Sequence, residues 1–577
     1  MMTSIDLKAK PFYLTDEDIQ WVKDTLAGMD LKTKVGQLFC LMVAGSDMVG
    51  DAKKIMDAGI KPCGFLSRPW PSPVLAETIR NLQATSEIPL LLAANLERGG
   101  DGVAADGTQF ATPLQVAATD DETQAYRLGV VCGREASAVG FNWSYAPIID
   151  IDYNYHNPIT NTRTFGSDPE RVLRMARAYM KGIQESGVAV SIKHWPGDGV
   201  DGRDQHLLTS VNSLSVEEWD ATYGKIYKGM IDAGAETVMS AHIMQPAYSR
   251  LLRPGIKDDE IMPATLAYEL NNDLLRGKLG FNGLIVSDAT PMAGYLAAMR
   301  HDLAVPSMIA AGVDVFLFSI NIFQDFEHML KGVETGILTP ERLDEAVTRI
   351  LAFKASLKLH KKKANGTLVP EASVLQMIGC EEHHAWAKDC ADKGVTLVKD
   401  TQHLLPLDPA KHKKVLLYVL GDKGGFMGEG KPTHEHFVAA MQAEGFEITK
   451  FDYEALKGPA AFGNPAARDA LGFVKQFDLV VYYASLTTAS NQTTVRINWG
   501  APMGVDVPKF VHDVPTLFIS MANPYHLQDA PMVKTFINAY TPSTVVIDAV
   551  VEKLMGRSPF KGINPVDPFC GLWDATR

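Results

Sequence analysis

Eight short apolar runs, each followed by a polar turn and a stretch of helical period, fill the first part of the chain, and this alternation constrains the fold more than any other feature. The runs are LFCLMVAG (38–45), CGFLS (63–67), PLLLAANLE (89–97), NWSYAPIID (142–150), VAVSIKHW (188–195), AETVMSAHI (235–243), GLIVSDA (283–289) and VDVFLFS (313–319). Between them, segments such as 122–138, 168–186, 215–233 and 263–279 carry apolar residues at helical spacing. Ser167-Asp168-Pro169-Glu170 places a cap before a first-turn proline, a helix start signal. Eight strand–helix repeats predict a (β/α)8 TIM-like barrel, although a doubly wound open sheet would alternate in the same way.

After a last helix at 339–357, KLHKKKANGTLVPEAS reads as a linker whose Lys361–Lys363 run is a solvated face. A second alternating unit follows, with strands KVLLYVLG (414–421), DLVVYYA (478–484) and PTLFISM (515–521). The expected division is a barrel over 1–357, a linker over 358–375 and a smaller α/β domain over 376–577. A chain of 577 residues buries large cores without disulfide or metal staples. Its six cysteines show no CxxC spacing and read as buried free thiols. A net charge of -13 argues against nucleic acid and anionic membranes as partners, because both select a basic face. The amino terminus has no apolar signal core and no later run approaches a membrane span, so a soluble, cytoplasmic protein is expected.

The chemistry-bearing residues sit where a barrel would use them. The runs end in Asn95 and Glu97, Asp150, Lys193-His194, His242 and Ser287-Asp288. Barrel enzymes build their sites at the carboxyl ends of the strands, so these positions converge on one mouth. Any one of them could cap a helix; five strands ending this way exceed what capping explains. The densest segment, SIKHWPGDGVDGRDQHLLTS (191–210), delivers Lys193 and His194 and then presents Asp198, Asp201, Asp204 and His206 on a Pro/Gly-rich loop. Asp204 and His206 are two apart, so in an extended segment they would share a face. A carboxylate there fixes the imidazole tautomer, the logic of a catalytic Asp–His pair; a turn Asp beside a surface His is the plainer reading. Asp288 ends an almost wholly apolar strand, and an ionised carboxylate there suits attack on an anomeric carbon; a helix-capping Asp competes.

These segments resemble glycoside hydrolase family 3, in its two-domain bacterial β-N-acetylglucosaminidase branch. The resemblance runs through LAGMDLKTKVGQLF (26–39), YAPIIDI (145–151), NPITNTRTFGSDPE (157–170), KHWPGDG with DQH (193–206), SAHIMQPAY (240–248) and GFNGLIVSDATPM (280–292). It continues in ISMANPYHLQDAP (519–531) and INAYTPS (537–543). It implies an α/β sandwich for the second domain. It also implies Asp288 as the nucleophile, His206 as acid/base with Asp204 as its partner, and Lys193, His194 and Arg163 as residues holding the terminal sugar. Three departures bear on specificity. Trp195 and Asp198 replace the aromatic and the histidine of the family's KHFPGHG. Asn95-Leu96-Glu97-Arg98-Gly99-Gly100 stands where the family carries Asp-Gln-Glu-Gly-Gly, whose first residue grips distal hydroxyls. An arginine usual a turn later has no counterpart in 101–110.

The reading is a retaining exo-β-glycosidase releasing terminal β-N-acetylglucosamine from a glycan or glycoside, with no cofactor and no metal. Water is expected as the dominant acceptor. The alternatives are a phosphorylase that uses phosphate, β-glucosidase-type specificity, a silent sugar-binding protein, and a metal-dependent hydrolase built on His194, Asp198, His206 and His242.

Overall fold

A computed structural model of the chain describes residues 5–43, 47–422, 432–454, 470–501 and 504–577. Each of the eight apolar runs contains a strand: β1 (Cys40–Val43), β2 (Gly64–Ser67), β3 (Leu91–Ala94), β4 (Trp143–Ser144), β5 (Ala189–Trp195), β6 (Thr237–Ser240), β7 (Leu284–Ala289) and β8 (Val315–Leu317). Residues 44 and 45 of the first run lie outside the described residues. The strands pair in chain order, every neighbour parallel. A bridge between Phe39 and Phe316, with Phe316 N–H donating to Leu38 O at 2.7 Å, joins the last strand to the first. An open sheet would leave those edges apart, so the barrel reading stands and the doubly wound one falls. The fourth run keeps only two residues in regular ladder. Beyond them Pro147 has no N–H to donate, while Ala146 O and Pro147 O accept from Ser191 and Lys193 at 3.2 and 3.3 Å and Ile149 N–H donates to Lys193 O at 2.8 Å.

Local signals set the helices between the strands. The helix Pro169–Gln184 starts at the proline the sequence marks, and Thr339 caps Pro340–Ser356 by accepting from Arg342 N–H. The stretch 358–375 carries a short helix, Leu359–Ala364, and the start of a 3-10 helix, Ala372–Met377; Lys361 pairs with Glu17 at 2.7 Å. At the foot of the barrel, Asp314 precedes β8 and accepts from Arg276 and Arg342, both at 2.7 Å, with Arg349 at 3.9 Å. Burial would raise its pKa, and the three guanidinium groups outweigh that and lower it. The barrel's strands and most of the helices around them form one compact unit, Met1–Phe110, Ala125–Asn154 and Pro169–His384.

The second compact unit comprises Ala111–Gln124, Tyr155–Asp168 and Ala385–Arg577. Its six strands are β9 (Thr396–Asp400), β10 (Lys414–Gly421), β11 (Glu447–Lys450), β12 (Leu479–Ser485), β13 (Thr516–Ser520) and β14 (Thr535–Asn538). They lie in the order β9-β14-β13-β12-β10-β11, with only β9 antiparallel to its neighbour. Alternation sends Leu417, Val481, Ile519 and Ile537 to one core and Tyr418, Tyr482, Phe518 and Phe536 to the other. All four of the latter stack in sequence across the sheet, Tyr418–Tyr482 at 4.5 Å, Tyr482–Phe518 at 5.8 Å and Phe518–Phe536 at 4.9 Å between centroids. A sheet buried on both faces makes an α/β sandwich. The six cysteines are free, five of them buried.

Candidate active site

The carboxyl end of β7 presents Asp288. The strand before it is buried, and two contacts hold its exit: Leu317 N–H donates to Ser287 Oγ at 2.9 Å, and Thr290 Oγ donates to Phe318 O at 2.6 Å. One carboxylate oxygen of Asp288 accepts the N–H of Ala289 at 2.7 Å. The other is buried and has no hydrogen-bond partner among the described residues. Burial alone would raise the pKa of this carboxyl. His194, His242 and His206, together with the Ala289 N–H, outweigh burial and lower it. Asp288 is therefore a charged carboxylate with one bare oxygen, in reach of the fields of three imidazoles.

The loop after β5 supplies the Asp–His pair, by a geometry other than the one expected. Residues 204–208 form a turn rather than an extended segment, with Leu207 and Leu208 N–H groups donating to Asp204 O. One Asp204 carboxylate oxygen accepts both the His206 N–H at 2.8 Å and its ring Nδ1 at 2.7 Å. An Asx turn thus achieves what a shared strand face was expected to provide, because a short carboxylate readily accepts from the backbone two residues on. Asp204 is buried and His206 half-buried. With Nδ1–H donated to the carboxylate, Nε2 is the nitrogen left to exchange a proton with a ligand.

This loop is stapled to the segment after β7. Ala293 N–H donates to His206 O at 3.0 Å, Gly294 N–H to Gln205 O at 3.2 Å, and Thr209 Oγ to Gly294 O at 2.9 Å. Gly294 permits the approach, since a Cβ there would stand 2.6 Å from Gln205 O and 3.1 Å from the Cβ of His242. His242 completes the joint. Its N–H donates to Gln205 Oε1 at 2.9 Å, its Nε2 to Ala289 O at 3.0 Å, and its Nδ1 meets Thr265 Oγ at 3.1 Å. Burial lowers its pKa, and the ring bridges the two loops through both nitrogens.

β5 provides a second carboxylate–histidine pair. His194 Nδ1 lies 2.6 Å from one Asp150 oxygen, and the other oxygen accepts the N–H groups of His194 and Asp198 at 3.0 and 2.8 Å. Lys193 is buried and donates to Glu97 at 2.8 Å and to Asn95 at 3.4 Å, which ties β5 to the exit of β3. Asp198 accepts the N–H of Gly199, and Asp201 pairs with Arg203 while accepting Val211 N–H at 2.9 Å, so both shape the loop. Gly197, at φ +120°, places the loop against Tyr223, whose ring a Cβ would strike at 2.2 Å. Trp195 is buried edge-on between Trp219 and Tyr227. It occupies core behind the site.

Seven of the eight residues singled out by sequence therefore lie in the barrel unit: Asn95, Glu97, Lys193, His194, Asp204, His206 and Asp288. Arg163 belongs to the second unit, at the end of a 3-10 turn, Asn161–Arg163. The metal-hydrolase alternative fits poorly. His242 engages both ring nitrogens, and no group of three or more metal-type side chains clusters among the described residues. Sequence reasoning passed over Asp150 as a partner of His194, and Gln205 and Gly294 as joints. Only Asp150 left a signal, as a carboxylate ending an apolar run.

A parallel barrel with a buried carboxylate and two carboxylate-held histidines at its mouth is the frame of a glycoside-cleaving enzyme. Residues 71–353 match the glycosyl hydrolase family 3 N terminal domain, and the chain belongs to that family. It is 46% identical over 572 residues to a β-N-acetylglucosaminidase/β-glucosidase of Cellulomonas fimi, covering 99% of both chains. Among solved structures it is similar to a β-glucoside phosphorylase, BglX, bound to 2FGlc, at 47% identity and a TM-score of 0.92, covering 98% of this chain and 99% of that one. A family 3 β-N-acetylglucosaminidase from Paenibacillus sp. str. FPU-7 aligns at 25% identity with a TM-score of 0.77, covering 94% of this chain and all of that one. No helix among the described residues is long and apolar enough to cross a membrane.

Proposed function

We propose that this enzyme cleaves terminal β-glucosides and β-N-acetylglucosaminides by double displacement, with Asp288 as nucleophile, His206 as acid/base and phosphate as the preferred acceptor. The observation that carries the cleavage reading is the bare, buried oxygen of Asp288 within the field of an imidazole that Asp204 holds. In the first step, Asp288 Oδ2 attacks the anomeric carbon while His206 Nε2–H protonates the departing oxygen, leaving a glycosyl ester and a neutral imidazole. In the second, the acceptor oxygen displaces Asp288 and gives its proton to Nε2, with net retention. Lys193 and His194, fixed by Glu97 and Asp150, orient the terminal sugar.

The choice of acceptor departs from the sequence expectation of water. An acid/base carboxylate, deprotonated at the second step, would repel a phosphate dianion at close range. His206 is neutral or cationic, so that repulsion is absent. The similarity to a β-glucoside phosphorylase over nearly the whole chain supports phosphate as acceptor and a glucoside as substrate; the Cellulomonas relative's name covers both sugars. The experiment is product analysis with nitrophenyl β-glucoside and β-N-acetylglucosaminide in millimolar phosphate. Sugar 1-phosphate as the main product supports the proposal, and free sugar as the main product at saturating phosphate returns the enzyme to the hydrolases.

A further inference from the structure

We infer that the aglycone side of the site is an apolar shelf that selects glycosides of alkyl or aryl aglycones over glycosides of a second sugar, an inference that rests on the proposed role of His206. An acid that protonates the glycosidic oxygen must hydrogen-bond it, so the aglycone begins about 3 Å from Nε2. The side chains next along that turn are Leu207 and Leu208, 40% and 39% exposed. Gly294 lies against this turn, with Leu208 O 3.3 Å from where a Cβ would stand, and Leu296, 41% exposed, follows two residues on. The neighbouring strand exit adds Ile320 and Phe323, 74% and 51% exposed. It lies on the same rim because Thr290, two residues beyond Asp288, donates to Phe318 O.

Five large apolar side chains thus stand open to solvent on the acid loop, the segment after the nucleophile and the neighbouring strand exit. Scattered exposed leucines are ordinary; a group confined to adjacent loops at one side of a site marks a binding surface. Several polar side chains of the acid loop are already engaged. Asp201 is spent on Arg203, Asp204 on His206, and Thr209 on Gly294. The sugar-holding set, Asn95, Glu97, Lys193 and His194, lies instead at the exits of β3 and β5. The division fits a ligand that is polar at one end and greasy at the other.

The test uses β-glucosides of straight-chain alcohols from ethanol to octanol, whose leaving-group acidities are nearly equal, and cellobiose, all at one phosphate concentration. kcat/KM reports every step through glycosyl transfer to Asp288, so it does not depend on whether water or phosphate follows. Burial of a methylene corresponds to roughly a fourfold gain. We expect kcat/KM to climb by tens-fold or more from ethyl to octyl, with cellobiose nearer the ethyl end. The octyl-to-ethyl ratio should collapse toward unity in Leu208→Ser/Ile320→Ser/Phe323→Ser, with folding checked by the melting temperature. A flat chain-length series in the wild type, or a steep one that survives the triple substitution, overturns the shelf. The slow substrate 2-fluoroglucoside separates the two levels: a flat series with Asp288 labelled sinks the shelf alone, whereas no label on Asp288 sinks the catalytic reading and the shelf with it.

Discussion

Replacing Gly294 by alanine should damage catalysis out of proportion to its size. A Cβ at this position would stand 2.6 Å from Gln205 O, whereas ordinary contact begins at 3.4 Å, so the two loops must part by 3.4 − 2.6 = 0.8 Å. The obstructing atom is a backbone oxygen held by the Gly294 N–H, and the second neighbour, the Cβ of His242, belongs to a ring bonded at both nitrogens. Neither can swing aside as the end of a flexible side chain could. Gln205 adjoins His206, and Gly294 follows Asp288 by six residues, so the displacement falls on the separation between the proposed acid and nucleophile. A misplacement near 1 Å costs on the order of 100-fold in a reaction that depends on near-attack geometry. Helix propensity runs the other way, because alanine within the helix Ala293–Leu296 gains about 0.5–1 kcal/mol over glycine. We therefore expect kcat on an alkyl β-glucoside to fall by about 30- to 100-fold, with at most a few degrees lost in Tm. A dinitrophenyl β-glucoside, which needs no protonation, should lose less. Wild-type kcat on both substrates would refute the claim that this contact sets the spacing.

Asp288→Asn should lower turnover by several orders of magnitude on every substrate, since an amide cannot form the glycosyl ester; measurable turnover with a label on another carboxylate would displace it as nucleophile. His206→Ala should cripple alkyl glucosides far more than dinitrophenyl glucosides, and Asp204→Asn should follow the same pattern more weakly; equal losses on both leaving groups would assign the imidazole to binding. His526 of the second unit supplies a pH test. It is buried with neither ring nitrogen bonded among the described residues, and burial pushes its pKa down to about 4 from an ordinary 6.5. The unfolded chain therefore binds the extra proton over that interval, so stability is intact above pH 6.5 and lost as the pH falls towards 4, by about 3 kcal/mol in all. Urea unfolding of His526→Gln should lack that share of the decline; an identical pH dependence in the variant would contradict the assignment.

Much of the barrel was legible because its strands are buried on both faces. Each therefore reads as a nearly unbroken apolar run, with its chemistry at the carboxyl end. The ladder of the fourth run was harder to read, because Pro147 removes a donor from a stretch whose residues are otherwise strand-like. The members of the site were legible one by one, while their partnerships were not. That His194 leans on Asp150 depends on two neighbouring strands, and the spacing of Asp204 and His206 fits a strand or an Asx turn equally well. The second unit's inclusion of 155–168, and with it Arg163, follows from long-range packing that leaves no local pattern.

The arginine cluster under Asp314 bears on how such an enzyme can change. Three guanidinium groups from the helix Pro340–Ser356 and the segment Glu269–Lys278 converge on one carboxylate at the foot of the barrel. The residues proposed for catalysis and the greasy loops stand at the opposite ends of the strands. Structural integrity and substrate choice are thus vested in separate populations of residues, a strand's length apart. Drift in Leu207, Leu208, Ile320 or Phe323 can retune the preferred aglycone without touching what keeps the barrel closed. A substitution at Asp314, by contrast, would strand buried charge and offer selection nothing in return.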